Sequence, residues 1–422
     1  MHGTVVLDKN GQVLRPSIIW CDQRGEEQCE WLNRTIGERR LLDLTCNPAL
    51  TNFTLIKLLW IREHEPQIWS QVRHLLLPKD YVRFCLSGEY AIDVAEASGT
   101  LFLDVARRCW SQELLSQLEI DAGLLPAVFE SPEICARVSA EAAHLTGLVA
   151  GTPIVAGAGD QAAGAVGMGI TRPGTVSATI GTSGVVFAAT DRPALDPKGR
   201  LHTFCHAIPG RWHVMGVTQA AGLSLRWVRD LLSNDASPWS YERMAEEAAL
   251  VPPGSDGVLW GPYLMGERTP HLDPNVRAGL VGLAASHTRA HVIRAVMEGV
   301  AFSLRDSLTI FSELHLPVEK IRLGGGGARS PLWRQIQADV YDHSVEILAA
   351  EEGAAFGAAI LAGVGAGIWP SVDDACDQAI RSAENIPSRP EIATVMNQRY
   401  RVYQRLYPAL RGLHPTGDNS NA

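Results

Sequence analysis

"TPIVAGAGDQAAGAVGMG", residues 152 to 169, sets one charged side chain, Asp160, among Ala, Gly, Val and Met. "TPIVAGAG" reads as a short buried strand, and the residues after it as a helix beginning near Asp160. An ionised carboxylate is costly among apolar neighbours unless something pairs with it. Asp160 therefore either caps that helix, a position Asp fills well, or it serves chemistry. The C-terminal end of a strand is the edge where open α/β sheets bind ligands. A carboxylate there is favoured as an anion by the helix start. Within reach of an alcohol, it suffices as the base for transfer of a phosphoryl group.

The stretches downstream extend the pattern. "GTVSATIGTSGVVFAATD" (174 to 191) reads as strand, polar glycine turn and strand, and "RWHVMGV" offers a third strand. Thr288 opens a long amphipathic helix in which Ile293, Val296, Val300, Leu304 and Leu308 recur at helical spacing. "KIRLGGGGARSPLWRQIQADVYD" is strand, glycine turn and helix, and "SVEILAAEEGAAFGAAILAG" repeats the order. Strands alternating with helices predict an α/β fold from about residue 150.

Upstream the signals differ. Residues 4 to 20 read as a β-hairpin around Asn10-Gly11. Helical patterns follow in "RGEEQCEWLNRTIG", "TLIKLLWIREHEPQIW" and "HLLLPKDYVRFCLSGEY", the last stopped by Gly88. From about 40 to 150 the chain reads as a helix-rich module with Pro-broken loops. The polar end, "HPTGDNSNA", is expected to fray.

The 422 residues suffice for two or three domains, and 46% hydrophobic with 20% charged residues is ordinary for a soluble globular chain. A net charge of −9 supplies no basic field for nucleic acid. The eight cysteines form no C-x-x-C pair and no zinc-ligand spacing, which points to a reducing cytoplasm. No signal peptide is visible at "MHGTVVLDKNG". "GAAFGAAILAGVGAGIWP", from 353, is short for a membrane span and is read as a buried helix packed closely on a neighbour.

Two glycine turns are candidate anion sites. "IGTSG" (180 to 184) puts Thr182 and Ser183 at a hairpin tip, where backbone N–H groups and hydroxyls face outward and suit phosphate oxygens. The same residues also populate plain β-turns. "LGGGGARS" (323 to 330) follows a strand and opens a helix, so a flat or anionic ligand could approach its backbone. The strand–turn–helix context favours nucleotide contact, and close packing of helix on strand is the competing reading.

Taken in order along the chain, "MHG" at 1 to 3, "RPSIIWCDQR", "LLPKDYVRFCLSGEY", "GAGDQAAGAVG", "ATIGTSG", "GERTPH" and "LGGGGARSPLWRQIQADV" resemble the FGGY carbohydrate kinases. They are most similar to those acting on xylulose. The resemblance implies two actin-like (ribonuclease H-like) ATPase domains with a cleft between them. Residues 1–168 would be the remainder of the sugar-binding N-terminal domain, with a helix-rich insertion, and 169–422 the ATP-binding C-terminal domain.

The resemblance further implies that Asp160 is the general base, and that Met1, His2 and Gln161 touch the sugar, although Asn is commoner than Gln at the last position. Gly181, Thr182 and Ser183 would form the second phosphate loop, and Gly325, Gly326, Gly327 and Ser330 the adenosine turn. ATP and Mg²⁺ are the implied cofactors. Trp20, Asp22 and Arg24 resemble a polar-aromatic cluster near the sugar pocket, and Glu298 belongs to the pattern as packing. Glu267 and Arg268 of "GERTPH" are expected to form a loop-stabilising ion pair of the weak surface kind.

The family's first phosphate loop, an Asp-x-Gly-Thr-Ser hairpin, does not occur in this sequence. The first domain is therefore expected to keep one sheet strand, near 153 to 158, and the chain as it stands to be unstable or inactive, with Met1 an internal methionine of a longer frame. The implied reaction is ATP-dependent phosphorylation of D-xylulose to D-xylulose 5-phosphate. Open alternatives are the same chemistry on gluconate, ribulose or glycerol, or a binding protein for sugar and nucleotide without turnover. Partners would be the small sugar and ATP in the cytoplasm, without nucleic acid or membrane. A homodimer is compatible with the sequence.

Overall fold

A computed structural model describes residues 1–233, 239–350 and 353–413. The polar end from His414, and Glu351 and Glu352 of the "SVEILAAEEG" stretch, lie outside the described residues.

The chain turns back around Asn10-Gly11, but only the first arm is a strand. β1 (Val5–Leu7) meets the returning segment at isolated bridges, Leu7 with Val13 and Thr4 with Ile18. Pro16, which has no N–H to donate, interrupts the second arm. β1 pairs instead with β2 (His74–Leu76), antiparallel. "HLL" is thus strand rather than the expected helix. Helix α1 (Glu26–Ile36) stops at Gly37, and α2 (Thr54–His64) ends before Pro66. α3 starts only at Pro78, a residue suited to the first helical turn, and runs to Ser87 with Gly88 left-handed behind it.

Next come β3 (Ala91–Asp93) and the fully buried α4 (Val94–Ser98). β3 pairs in parallel with β4 (Ala127–Phe129), and β5 (Ile134–Arg137) pairs antiparallel with β6 (Pro153–Val155). The expectation of a single strand near 153 to 158 is corrected. β6 is three residues long, half-exposed rather than buried, and one of several two-stranded pieces. Such strands are too short to show a period in the sequence. α5 (Asp160–Gly167) follows the loop Ala156–Gly159.

The second half follows the sequence pattern closely. β7 (Gly174–Ile180) and β8 (Gly184–Thr190) form the expected hairpin, with Gly184 opposite Ile180. β9 (His202–Cys205) was not expected; β10 (Trp212–Thr218) was. Then come α6 (Gly222–Leu232), α7 (Tyr241–Ala249) and α8 (Arg289–Glu313). Thr288 and His291 cap α8 reciprocally. Its five apolar marker residues are buried as expected, but so are Arg294, Glu298, Ser303, Asp306 and Ser307, so α8 is enclosed on most sides and not amphipathic. Glu298 pairs with Arg294 at 2.8 Å and accepts from Gly254 N and Ser255 Oγ, which is the packing role expected of it. β11 (Val318–Gly324) lies parallel to β7, and after α9 (Pro331–Tyr341) β12 (Val345–Leu348) lies parallel to β11. α10 (Gly353–Gly365) comes before β13 (Ser382–Ile386), which closes the edge antiparallel to β12.

The described residues fall into two compact units, neither continuous in sequence. The first takes in Met1–Thr171, Ala189–Val214 and Glu352–Ala379; the second takes in Arg172–Ala188, Met215–Glu351 and Ile380–Ala422. Six neighbouring strands of a seven-stranded sheet, in the order β10-β8-β7-β11-β12-β13, build the second unit. In the first, α10 lies on α5 at backbone distance: a Cβ on Gly357 would stand 1.8 Å from the Ala163 carbonyl oxygen, and one on Gly167 2.2 Å from the Gly353 carbonyl oxygen. This is the close packing expected for the 353–370 run. Among the described residues no helix is long and apolar enough to cross a membrane.

Gly357→Ala forces α5 and α10 apart and should cost about 1–3 kcal/mol, the usual range for overpacking. Gly412→Ala, where a Cβ meets nothing within 4 Å, should stay within about 0.5 kcal/mol of wild type. Urea melts followed by circular dichroism compare the two. Equal midpoints would remove the close approach as a constraint.

Candidate active site

Two places in the structure collect the expected site residues, one in each unit. In the first, Asp160 resolves the choice posed by its sequence context. It is the first residue of α5, and the N-cap is Gly159, whose backbone is extended and which has no side chain to cap with. The Asp160 carboxylate does not cap. Its side chain is 60% exposed, with Oδ1 3.7 Å from the Met1 nitrogen and Oδ2 accepting from Gln161 Nε2 at 3.2 Å. An open acid at the positive end of a helix dipole is placed for a ligand rather than for packing.

Met1 and His2 lie close by but are packed down onto α4. His2 Nδ1 is 2.6 Å from the Gly99 carbonyl oxygen, its own carbonyl accepts from Thr54 Oγ1, and its ring stands edge-on to Phe53. The Met1 nitrogen is 3.6 Å from Glu96 Oε1. Met1, Asp160 and Gln161 therefore form one group, with His2 in its buried floor. Asp22 and Arg24 make a bidentate pair at 2.9 and 2.8 Å, with Arg24 lying over Trp60, while Trp20 projects outward.

Sequence reasoning missed the support beneath this group. Asp93 caps α4 by accepting from Glu96 N and is held by Lys79 at 2.8 Å. Burial pushes the Glu96 carboxyl up to about 7. The signal for this network was "DVAEAS" alone, a short acidic stretch that would normally be read as surface.

The second place is a cavity of about 570 Å³ in the second unit. One end is the hairpin tip, with Ile180, Gly181 and Thr182. Its walls are Leu225 and Arg226 of α6, Tyr241, Ala245 and Glu246 of α7, and Met297 of α8. Gly326, Gly327, Ser330 and Trp333 close the other side. Apolar walls with a polar end suit a flat ring carrying a polar group.

Of the seven residues expected here, Gly181, Thr182, Gly326, Gly327 and Ser330 line the cavity, and Ser183 and Gly325 do not. The hairpin tip is less open than expected, because Gly181 N donates to the Ser183 carbonyl and the Thr182 carbonyl accepts from Ala221 N and Leu223 N. The residues of the glycine run divide between packing and the cavity lining. Gly325 sits at φ +72°, where a Cβ would be 2.6 Å from the Ile180 carbonyl oxygen, so packing demands it. Gly327 both lines the cavity and packs on Ile180, where a Cβ would stand 2.6 Å from the Ile180 Cβ. Ser330 Oγ accepts from Trp333 N as the cap of α9. The apolar walls come from helix faces that no local motif marks.

"GERTPH" departs from expectation. Glu267 is buried, and its Oε1 accepts from Gln219 N at 2.9 Å and Arg268 N at 2.8 Å, so backbone donors rather than the Arg268 guanidinium hold it. Burial pushes this carboxyl up to about 8.

Among the described residues no group of three or more His, Cys, Asp or Glu side chains is placed to hold a metal ion. A magnesium ion carried on a nucleotide draws most of its ligands from phosphate and water, so the chain need not form a cage for one.

Residues 1–167 match the FGGY family of carbohydrate kinases, N-terminal domain, and residues 176–366 match its C-terminal domain. The xylulose kinase of Bacillus subtilis (strain 168) is 38% identical over 98% of this chain and 82% of its own length. That of Escherichia coli (strain K12) is 37% identical over 97% of this chain and 84% of its own. The crystal structure of xylulose kinase from Rhodospirillum rubrum, 33% identical, superposes with a TM-score of 0.90 over 97% of this chain and 83% of that one. The fold is the two-domain, actin-like ATPase arrangement of mixed α/β content.

Ser330→Ala should cost about 1 kcal/mol of stability through the lost cap, read from a thermal melt; an unchanged melt would leave the hydroxyl without a structural role. For Glu267 the sign follows from its raised folded-state value. The stability it contributes is complete below the unfolded value of 4.5 and is lost as pH rises towards 8. Urea midpoints at pH 5 and pH 8 should therefore differ less in Glu267→Gln than in wild type.

Proposed function

The chain belongs to the FGGY family of carbohydrate kinases, and on that premise we propose that it moves the γ-phosphoryl group of ATP to D-xylulose. The product would be D-xylulose 5-phosphate. The names of its relatives support this sugar, and the chemistry rests on one observation: Asp160 is an open carboxylate at a helix start that it does not cap.

In this reading residues 1–168 form the sugar-binding domain and 169–422 the ATP-binding domain. The attacking hydroxyl donates its proton to Asp160 as the O–P bond forms, and the bond to the departing ADP breaks. Gln161, already bonded to Asp160 through Nε2, orients that carboxylate and offers its amide to a neighbouring sugar hydroxyl. Met1 and His2 shape the floor. The nucleobase occupies the apolar cavity, with Gly326, Gly327 and Ser330 against it. Gly181, Thr182 and Ser183 bring the hairpin tip to the phosphates. Mg²⁺ bound with the nucleotide supplies charge neutralisation at the phosphates. Excluding water keeps the sugar as the acceptor. The enzyme would work in the cytoplasm.

A coupled assay of ADP release over D-xylulose, D-ribulose, gluconate and glycerol, on the chain joined to an upstream segment carrying the family's first phosphate loop, tests the proposal, with the highest kcat/KM expected for D-xylulose. Asp160→Asn should lower kcat by roughly 10²–10⁴-fold with an unchanged melt, the range typical of a lost general base. Ala245→Trp, which fills the cavity, should raise KM for ATP and leave that for the sugar in place. Preference for another acceptor would move the substrate assignment. An Asp160→Asn variant of full activity would end the mechanism.

A further inference from the structure

Glu96 is the one acid of the α4 network whose carboxyl has no hydrogen-bond partner. It is 1% exposed, and both Oε1 and Oε2 are buried without a donor. Its position is specific. A Cβ on Gly159, the residue before Asp160, would stand 2.5 Å from Glu96 Oε2, so the carboxyl lies directly against the turn that presents Asp160. A single nitrogen, that of Met1, is 3.6 Å from Glu96 Oε1 and 3.7 Å from Asp160 Oδ1. The two carboxyls are therefore no further apart than those two spans together.

We infer that Glu96 is a positioning residue that sets the basicity of Asp160, raising it when Glu96 ionises beneath the Gly159–Asp160 turn. This rests on the reading of Asp160 as the general base.

The surroundings let Glu96 titrate where the enzyme works. Lys79, Asp80 and Arg83 face it from α3, with Arg83 bonded to Asp80 at 2.8 Å and Lys79 to both Asp80 and Asp93. Asp93 ends β3, and the other strands packed on α4 carry Asp104, His202 and Cys205, with no titratable group on β4. Lys79 is thus shared among Asp80, Asp93 and Glu96, and it acts on Glu96 by charge without a hydrogen bond. Burial pushes its carboxyl up to about 7. Below that value Glu96 is neutral and leaves Asp160 alone. Above it a second negative charge lies beneath the turn and favours arrival of the hydroxyl proton at Asp160. A stronger base takes the hydroxyl proton more readily, and with ordinary Brønsted sensitivity kcat rises about threefold.

The test is the pH dependence of kcat between pH 6 and 8 at saturating ATP and sugar. Wild type should rise about threefold through a midpoint near 7, and Glu96→Gln, neutral at every pH, should be flat there with its acid limb unmoved. Glu96→Asp should keep the rise with a shifted midpoint, which a merely structural role would not produce. A wild type that turns over with a flat profile overturns the inference without need of a variant, as does a rise that persists in Glu96→Gln. A wild type without sugar-dependent ADP release overturns the kinase reading first, and this inference with it.

Discussion

Two helices in the first unit touch backbone to backbone, and Asp160 stands on one of them. At Gly357 the space for a side chain is already taken by the Ala163 carbonyl, and at Gly167 by that of Gly353. Only hydrogen atoms fit. The contact joins residues almost two hundred positions apart, so α5 takes its place from a helix that the chain reaches after most of the second unit has been made. The acid at the first position of α5 inherits that placement. Packed interiors have little slack, so a shift at this crossing moves the carboxylate with its helix.

A similar economy of side chains governs the cavity of the second unit. Gly325 and Gly327 let β11 end tightly against Ile180, and the cavity opens on the far side of the same turn. Ser330 then starts α9 by capping it. The turn is thus fixed by packing against β7 on one side and leaves bare backbone along the cavity on the other.

Buried acids divide by what holds them. Glu298 has Arg294, a backbone N–H and a hydroxyl; Glu267 has two backbone N–H groups at one oxygen; Asp306 has the Tyr400 hydroxyl at 2.6 Å. Each is tied into the second unit by groups that belong to its own packing. Glu96 has no such donor, yet it lies under the turn that presents Asp160. A buried carboxyl without a hydrogen-bond donor is expensive, and its persistence at that place distinguishes it from the other three.

How much was readable in the chain follows from which forces are local. The β7–β8 hairpin, the cap at Thr288, the stops at Gly37 and Gly88 and the strand–turn–helix at 320–342 all lie in the sequence, because turn residues, caps and side-chain period act within a few residues. Asp160 was legible as an anomaly, and the glycine turns as ligand candidates. What the residues alone left open was contact between distant segments. β1 takes β2 as its partner rather than its own returning arm, "HLL" becomes a strand through that pairing, and helix faces far apart in the chain make the cavity walls. Whether Asp160 capped its helix, whether Glu267 met Arg268 or the backbone, and which acid lay beneath the Gly159–Asp160 turn were fixed by packing in three dimensions, which no local pattern of residues encodes.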